Sequence, residues 1–362
     1  MLLDSCYSFH LIFITGLSVN LFNIDDNFND PMKINLIEIF LIFISLPNYS
    51  QIISGTVLDN KTGKQIPYVN VYFNGTTLGT NTDKLGSFSL ILPKQGKFPI
   101  VFSAIGYESI FLSDYPTGRS MKVLMEPKIY ELDEVTVRSK KSLFYRANRN
   151  YYLIMFKKQF LGESLNAFKC SILNQDDIVL EYLYDKDLLK AYSNKPIIVE
   201  NKALGYQIIY FIDKFEYSPL WNLLNLYGYF NFKEDTALGG QQKVNADKRR
   251  RLVYLGSRMH LFRSLWENNL DSTGYTLKNT DNKKLTYDSL VFQTDSDTKY
   301  LKRKGIIDIA YLSKRSDTRI EILQDSVYFN QSGYFAPYVI NWAGKMSDQR
   351  VADMLPFDYV YK

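Results

Sequence analysis

Pro67-Tyr68-Val69-Asn70-Val71-Tyr72-Phe73-Asn74-Gly75 is the stretch whose reading decides the fold. Apolar residues alternate along it with period two, which places Val69, Val71 and Phe73 on one face of a strand. Asn74-Gly75 closes that strand, because these two residues accept the positive φ of a tight hairpin turn. The same pattern extends in both directions. Upstream, residues 53–58 read as a strand and Asp59-Asn60-Lys61-Thr62-Gly63 as a turn. Downstream, Gly79-Thr80-Asn81-Thr82 leads into the turn Asp83-Lys84-Leu85-Gly86. Residues 87–92 form the next strand, with Phe88, Leu90 and Leu92 inward, and runs at 100–105, 108–112 and 122–125 follow before Pro127. Short strands at this spacing predict an antiparallel β-sandwich over residues 51–127.

The order Ile53-x-Gly55-x-Val57-x-Asp59, Thr62-Gly63, Ile66-Pro67-x-Val69-Asn70-Val71, Gly79-Thr80-x-Thr82-Asp83-x-x-Gly86-x-Phe88 and Phe102-Ser103-x-Ile105-Gly106-Tyr107 resembles the carboxypeptidase-regulatory-like domain. That family is a transthyretin-like sandwich of exported Bacteroidetes proteins. The resemblance implies a fold and not a reaction, since its residues serve turns and core alternation. It does not import a peptidase: a zinc carboxypeptidase needs two His and a Glu as ligands, and the chain holds only His10 and His260. Asp83 beside Gly86 reads as a turn, because the dense acidic series of a calcium loop is missing. Residues 129–138, Ile129-Tyr130-Glu131-Leu132-Asp133-Glu134-Val135-Thr136-Val137-Arg138, are similar to the segment that follows this domain in TonB-dependent receptors. About 225 residues remain after it, fewer than a plug and a large barrel take, so the expectation is not a receptor.

Composition narrows the chemistry further. The chain has 362 residues, 46% hydrophobic and 22% charged, with Lys+Arg 43 against Asp+Glu 38, two His and two Cys. Zinc centres and disulfide frameworks need more of both rare residues, so no metal, cofactor or catalytic residue is assigned. The apolar runs at 11–22 and 34–46 are each shorter than the roughly 20 residues of a spanning helix. The second reads as a secretory signal over 32–50: Met32-Lys33 as the basic start, 34–46 as the apolar core, and cleavage near Ser50/Gln51. Residues 1–31 are then either upstream of a true start at Met32 or a disordered leader. Taking residues 1–50 away removes Lys33 and five acids (Asp4, Asp25, Asp26, Asp30, Glu38) and leaves 42 bases against 33 acids, or +9. It also removes Cys6, so Cys170 has no partner for an intramolecular disulfide.

After a linker at 128–145, residues 146–362 read as one α+β, β-rich domain. Tyr152, Met155, Phe156, Gln159 and Phe160 give a helix over 151–162, and strands are expected at 178–184, 188–193, 197–201 and 206–214. A single helix is expected over 247–268, opened by Lys248 to Arg251, with Leu252, Leu255, Met259, Phe262 and Trp266 on one stripe. The remainder from 283 to 360 alternates, and residues 216–246 carry no assignable element. Segments such as Glu200-Asn201-Lys202-Ala203-Leu204-Gly205-Tyr206 and Tyr254-x-Gly256-Ser257-x-x-His260 resemble the C-terminal region of the same Bacteroidetes proteins, which implies no activity.

Four features invite sharper readings. Ser257 and His260, three apart on a helix, suggest a nucleophile and base, but the plainer reading is packing or capping. The run Asp247-Lys248-Arg249-Arg250-Arg251 reads as a solvated basic face, with anionic lipid head groups or lipopolysaccharide a better use of the charge than nucleic acid. Cys170, flanked by Phe168, Ile172 and Leu173, reads as a buried inert thiol. The aromatic cluster Tyr217, Trp221, Tyr227, Tyr229 and Phe230 serves either strand cores or a binding surface. The sequence thus leads to a mainly β, exported, non-enzymatic binding or scaffolding protein of the cell envelope, periplasmic or outer-membrane associated. Its partners would be an envelope protein, lipopolysaccharide or a glycan surface, with no transmembrane helix in the mature chain. The alternatives are an envelope hydrolase with its site in 146–362 and, against the charged turns, a barrel fragment.

Overall fold

A computed structural model describes residues 11–15, 18–22, 32–35, 52–128, 143–295, 298–302, 305–313 and 315–361. The chain divides into two compact units, Met1–Ser50 and Gln51–Lys362. In the first, β1 (Leu11–Thr15), β2 (Ser18–Phe22) and β3 (Met32–Asn35) pair antiparallel in that order. Met32-Lys33 of the expected signal thus sits in a strand, and residues 36–50 lie outside the described residues.

The second unit begins with the expected sandwich. β4 (Ile52–Asp59), β5 (Asn70–Phe73), β6 (Gly79–Asn81), β7 (Ser87–Ile91), β8 (Ile100–Ser103), β9 (Ile110–Leu112) and β10 (Met121–Met125) form the sheets β10-β4-β7 and β6-β5-β8-β9. One pairing departs from the antiparallel expectation: β10 lies parallel to β4. Ile53, Val57, Phe88 and Leu90 meet Val71, Phe73 and Phe102 in the core, with Phe88 and Phe102 edge to face at 5.3 Å. Burying each such side chain contributes roughly 1.5–3 kcal/mol. Alternation accounts for one face of β5 only, since Tyr72 on the reverse face is also buried, stacked on Phe211 at 6.3 Å.

Helix α1 (Leu143–Leu161) begins inside the expected linker and before residue 151, while residues 129–142 lie outside the described residues. It packs Phe156 and Phe160 on a six-stranded sheet made of β11 (Cys170–Ile172), β12 (Val179–Leu183), β13 (Leu188–Tyr192), β14 (Ile197–Asn201), β15 (Tyr206–Ser218) and β16 (Leu223–Glu234). The order is β11-β14-β15-β13-β12, with β16 on the other edge of β15 along almost its whole length. The stretch without an assignable element is therefore the end of β15, its hairpin, β16, and the loop and first turns of the helix that begins at Gly240. Leu224 to Asn231 are all half-buried, so the two faces of β16 give no in-and-out alternation.

The single helix expected over 247–268 is two: α2 (Gly240–Tyr254) and α3 (Arg258–Trp266). Gly256, at φ +76°, ends the first, and the Ser257 hydroxyl caps the second by accepting the His260 N–H at 3.0 Å. The break dissolves the expected stripe, leaving Leu252 and Leu255 exposed while Met259, Phe262 and Leu265 are buried. Lys248 to Arg251 fall in the second half of α2 instead of opening a helix.

Beyond α3, β17 (Tyr275–Lys278), α4 (Tyr287–Leu290), β18 (Val291–Asp295), β19 (Thr298–Lys302), β20 (Ile306–Tyr311), β21 (Thr318–Ile322), β22 (Ser326–Phe329) and β23 (Ile340–Gly344) build the sheets β17-β20-β21-β23 and β18-β19-β22. Phe262, Leu265, Ile307, Ile320 and Phe329 form a third core, beside the one under α1. The expected alternation stops at β23, where short 3-10 turns follow at Lys345–Asp348 and Val351–Asp353.

The turn that ends β5 joins the sandwich to the rest. Asn74 Oδ1 accepts the Phe230 N–H at 3.0 Å, Gly75 N–H donates to Phe230 O at 2.7 Å, and Phe232 N–H donates to Thr76 O at 2.9 Å. Phe357 N–H donates to Gly75 O at 2.8 Å. Only glycine fits at 75, where φ is +74° and a Cβ would stand 2.6 Å from the Phe357 ring.

Candidate functional site

A cleft of about 770 Å³ opens between β16 and the edge of the third core. Leu224, Leu226 and Gly228 of β16 line one wall, Ile340 and Trp342 of β23 another, and residues 349–351 and 353–355 complete it. Tyr227 meets Tyr338 edge to face at 4.5 Å at its rim, an aromatic contact worth about 0.5–1.5 kcal/mol beyond area burial.

Three arginines line this largely apolar space: Arg319 is paired with Asp308 at 2.7 Å, and Arg258 and Arg350 are the other two. Arg258, the first residue of α3, donates its backbone N–H to Gln349 Oε1 at 3.1 Å and its Nε to Met346 O at 2.9 Å. Its guanidinium lies 4.8 Å from the centre of the Trp342 ring. Burial, and then the field of Arg350, pull its pKa down to about 9, with Asp348 acting in the other direction. Arg350 donates to Ser347 O, and burial lowers its pKa as well. Both stay charged at neutral pH, yet among the described residues neither forms an ion pair, and Asp348 lies beyond ion-pair reach of both.

The structure separates Ser257 from His260 as a reacting pair. Ser257 lines the cleft, but its Oγ caps α3. The His260 ring turns to the other side, where Nδ1 accepts the Gly256 N–H at 3.1 Å and lies 3.1 Å from Tyr275 Oη. An Nδ1 that accepts a backbone N–H carries no proton, so the neutral ring holds its proton on Nε2. Burial, with Arg263 second, pushes its pKa down to about 4. The carboxylates that line the cleft do not pair either: Asp353 Oδ1 accepts from Ser164 at 2.9 Å and Asn166 at 2.7 Å, and Glu321, on the exposed face of β21, accepts from Asn341 at 3.5 Å.

The remaining features resolve into structure. Asp83 Oδ1 accepts the N–H groups of Leu85 and Ser87, both at 2.8 Å, as a turn carboxylate does. Arg250 departs from the expected solvated face: it is buried, donates to Leu204 O at 2.7 Å, pairs with Glu234 at 2.8 Å and lies over the Tyr206 ring. Cys170 is half-buried rather than buried, and two of its apolar flanks, Phe168 and Leu173, are exposed. Burial still pushes its thiol up to about 12, which keeps it protonated. In the aromatic cluster, Tyr217 is buried, Tyr227 and Tyr229 pack on Tyr338 and Phe111, and Phe230 stacks on Tyr210 at 5.5 Å. Trp221 alone of the five stands exposed, at the tip of the β15–β16 hairpin beside Leu220 and Leu223.

Sequence reading missed Arg258, Arg350 and both strand edges. Nothing local marks them, because the cleft brings together residues more than a hundred positions apart.

The sandwich has relatives among known proteins. Residues 53–137 match the family model of the CarboxypepD_reg-like domain. The chain is also 39% identical over 111 residues to the TonB-dependent receptor SusC of Bacteroides thetaiotaomicron, a stretch that is 30% of this chain and 10% of that receptor. The chain thus spans a small part of the length of the curated relative it matches. Among the described residues no helix is long and apolar enough to cross a membrane, which leaves strands unaddressed.

Proposed function

We propose that this chain is an exported protein of the cell envelope that works by binding or scaffolding rather than by turnover, at the periplasmic or outer-membrane side. The observation that carries the reading is the cleft, lined by two arginines without an ion pair, one of them over the Trp342 ring, while the nearby serine, histidine and carboxylates are tied into structural hydrogen bonds. A pocket of this size with a few convergent polar groups has the physical character of a ligand site, which supports the reading. The envelope location draws on the domain at 53–137 and on its likeness to part of a TonB-dependent receptor, together with the apolar run at 34–46. Lipopolysaccharide, a glycan surface and an envelope protein are the partner classes considered.

Fractionation of the native host with N-terminal sequencing tests the location. A mature start near Gln51 in periplasm or outer membrane is expected, and a cytoplasmic protein starting at Met1 would overturn it. Turnover is tested separately. Hydrolysis of an envelope polymer by the purified chain, abolished in Ser257→Ala without loss of folding, would replace the binding reading with the hydrolase.

A further inference from the structure

Antiparallel pairing turns the N–H and C=O of successive residues to opposite sides of a strand. On β16 the phase is set by Phe230, whose N–H and C=O both bond away from β15, to Asn74 and Gly75, and by Phe232, whose N–H bonds to Thr76. The bulge in this pair falls on β15, between Ile212 and Lys214, so the phase of β16 is unbroken. Gly228, Leu226 and Leu224 therefore also present their main-chain groups outward, and all three line the cleft. β23 repeats the arrangement. Leu323 N–H bonds to Val339 O and Lys345 N–H to Asp317 O, both at 2.9 Å, which turns Asn341 and Ala343 toward β21 and leaves Ile340 and Trp342 facing outward. Both strands are edges of their sheets.

The cleft therefore offers open main-chain donors and acceptors on two walls, apolar and aromatic side chains between them, and two guanidiniums without a carboxylate. From Leu224 to Gly228 is five residues, about 17 Å of extended chain. The adjoining part of the same edge is already engaged by another segment, the Asn74–Thr76 turn, through two main-chain hydrogen bonds and the Asn74 side-chain oxygen. We propose that the cleft binds an extended, carboxylate-bearing polypeptide segment of another envelope protein, which adds as a strand to β16 at Leu224–Gly228 and sets its carboxylate on Arg258 and Arg350. The strand edge supplies affinity with little regard to sequence, and the arginine pair selects for the acid. This inference rests on the reading of the chain as a binding protein.

The test uses the full chain and a labelled, N-acetylated octapeptide of alternating valine and threonine with an aspartate near each end, followed by fluorescence anisotropy. Saturable binding is expected. It should weaken at least tenfold with asparagine in place of aspartate, and at least tenfold when alternate peptide amides are N-methylated. Arg258→Gln with Arg350→Gln should produce the first loss. Should that double variant fail to fold, Leu226→Pro removes an outward N–H while keeping the β15 pairing, and should produce the second loss. Hydrogen exchange across residues 222–230 should slow when the peptide binds. Affinity indifferent to N-methylation and to Leu226→Pro would overturn strand addition, and affinity indifferent to the aspartates would overturn the role of the arginines. No peptide binding up to about 1 mM, with exchange at 222–230 slowed by lipopolysaccharide or maltoheptaose instead, would overturn the peptide and leave the binding reading intact. No slowing by any of these would overturn both.

Discussion

Along β16 the outward edge is closed at one end and open at the other. Phe230 and Phe232 give their outward groups to the Asn74–Thr76 turn, whereas Leu224, Leu226 and Gly228 turn theirs to the cleft. Exposed strand edges invite pairing with other chains, so folded proteins cover them, shorten them or charge them. Here the cover comes from a domain whose own sequence reads as a free-standing sandwich, and it stops partway along the strand. The difference teaches that the Asn74-Gly75 turn, ordinary as a hairpin signal, serves two purposes: it closes β5 and it seals a second sheet.

The largest way to break this comparison is Gly75→Val. Positive φ and collision with Phe357 should unseat the turn and cost about 3 kcal/mol or more, read as a lowered urea midpoint. A change below about 0.5 kcal/mol would mean that the turn is not the joint. Acidification acts on the wall of the open half instead. The groups around the His260 ring are Arg263 on its own helix and the Tyr254, Tyr275 and Tyr311 rings from α2, β17 and β20. Its folded pKa is depressed to about 4, so the unfolded chain takes up the proton first. Stability is full above about pH 6.5 and falls as pH drops toward 4, by about 1–2 kcal/mol after allowance for solvent screening. A His260→Phe chain should lose that pH dependence in thermal melts.

Beneath the closed half, the Tyr72 hydroxyl is buried with no hydrogen-bond partner. Tyr72→Phe should be neutral or stabilising by up to about 1 kcal/mol, and a loss of that size would reveal a partner such as a bound water. At the open end, Trp221→Ser on the hairpin tip should change stability by less than about 0.5 kcal/mol, since Trp221 is 76% exposed.

What could be read from sequence follows the same division. The first sandwich was legible because its core is local: Val71 and Phe73 alternate within one strand, and its turns carry Gly and Asn. The burial of Tyr72 was not, since its cover, Phe211, comes from β15. Helical spacing at 247–268 was real, yet Gly256-Ser257 is a stop signal followed by a cap, and a stripe counted across both hides the break. The cleft was illegible for a deeper reason. Arg258 reads as a solvated charge at a helix start, and only the return of Trp342 beneath it, from a strand some eighty residues later, makes it part of a site.

One pairing in the sandwich has a mechanical meaning. β10 lies parallel to β4, with Met121 to Met125 in register beside Gly55 to Asp59, so the chain enters the sheet beside one end and leaves beside the other. A pull between the segment before Ile52 and the segment after Met125 would load these five pairs in shear, all at once, instead of peeling them one by one. If an exported chain is anchored at one end and held by a partner at the other, this domain is then the link that carries tension. Forced extension across residues 52–128 should accordingly show a higher rupture force than extension across a hairpin of the same sheet.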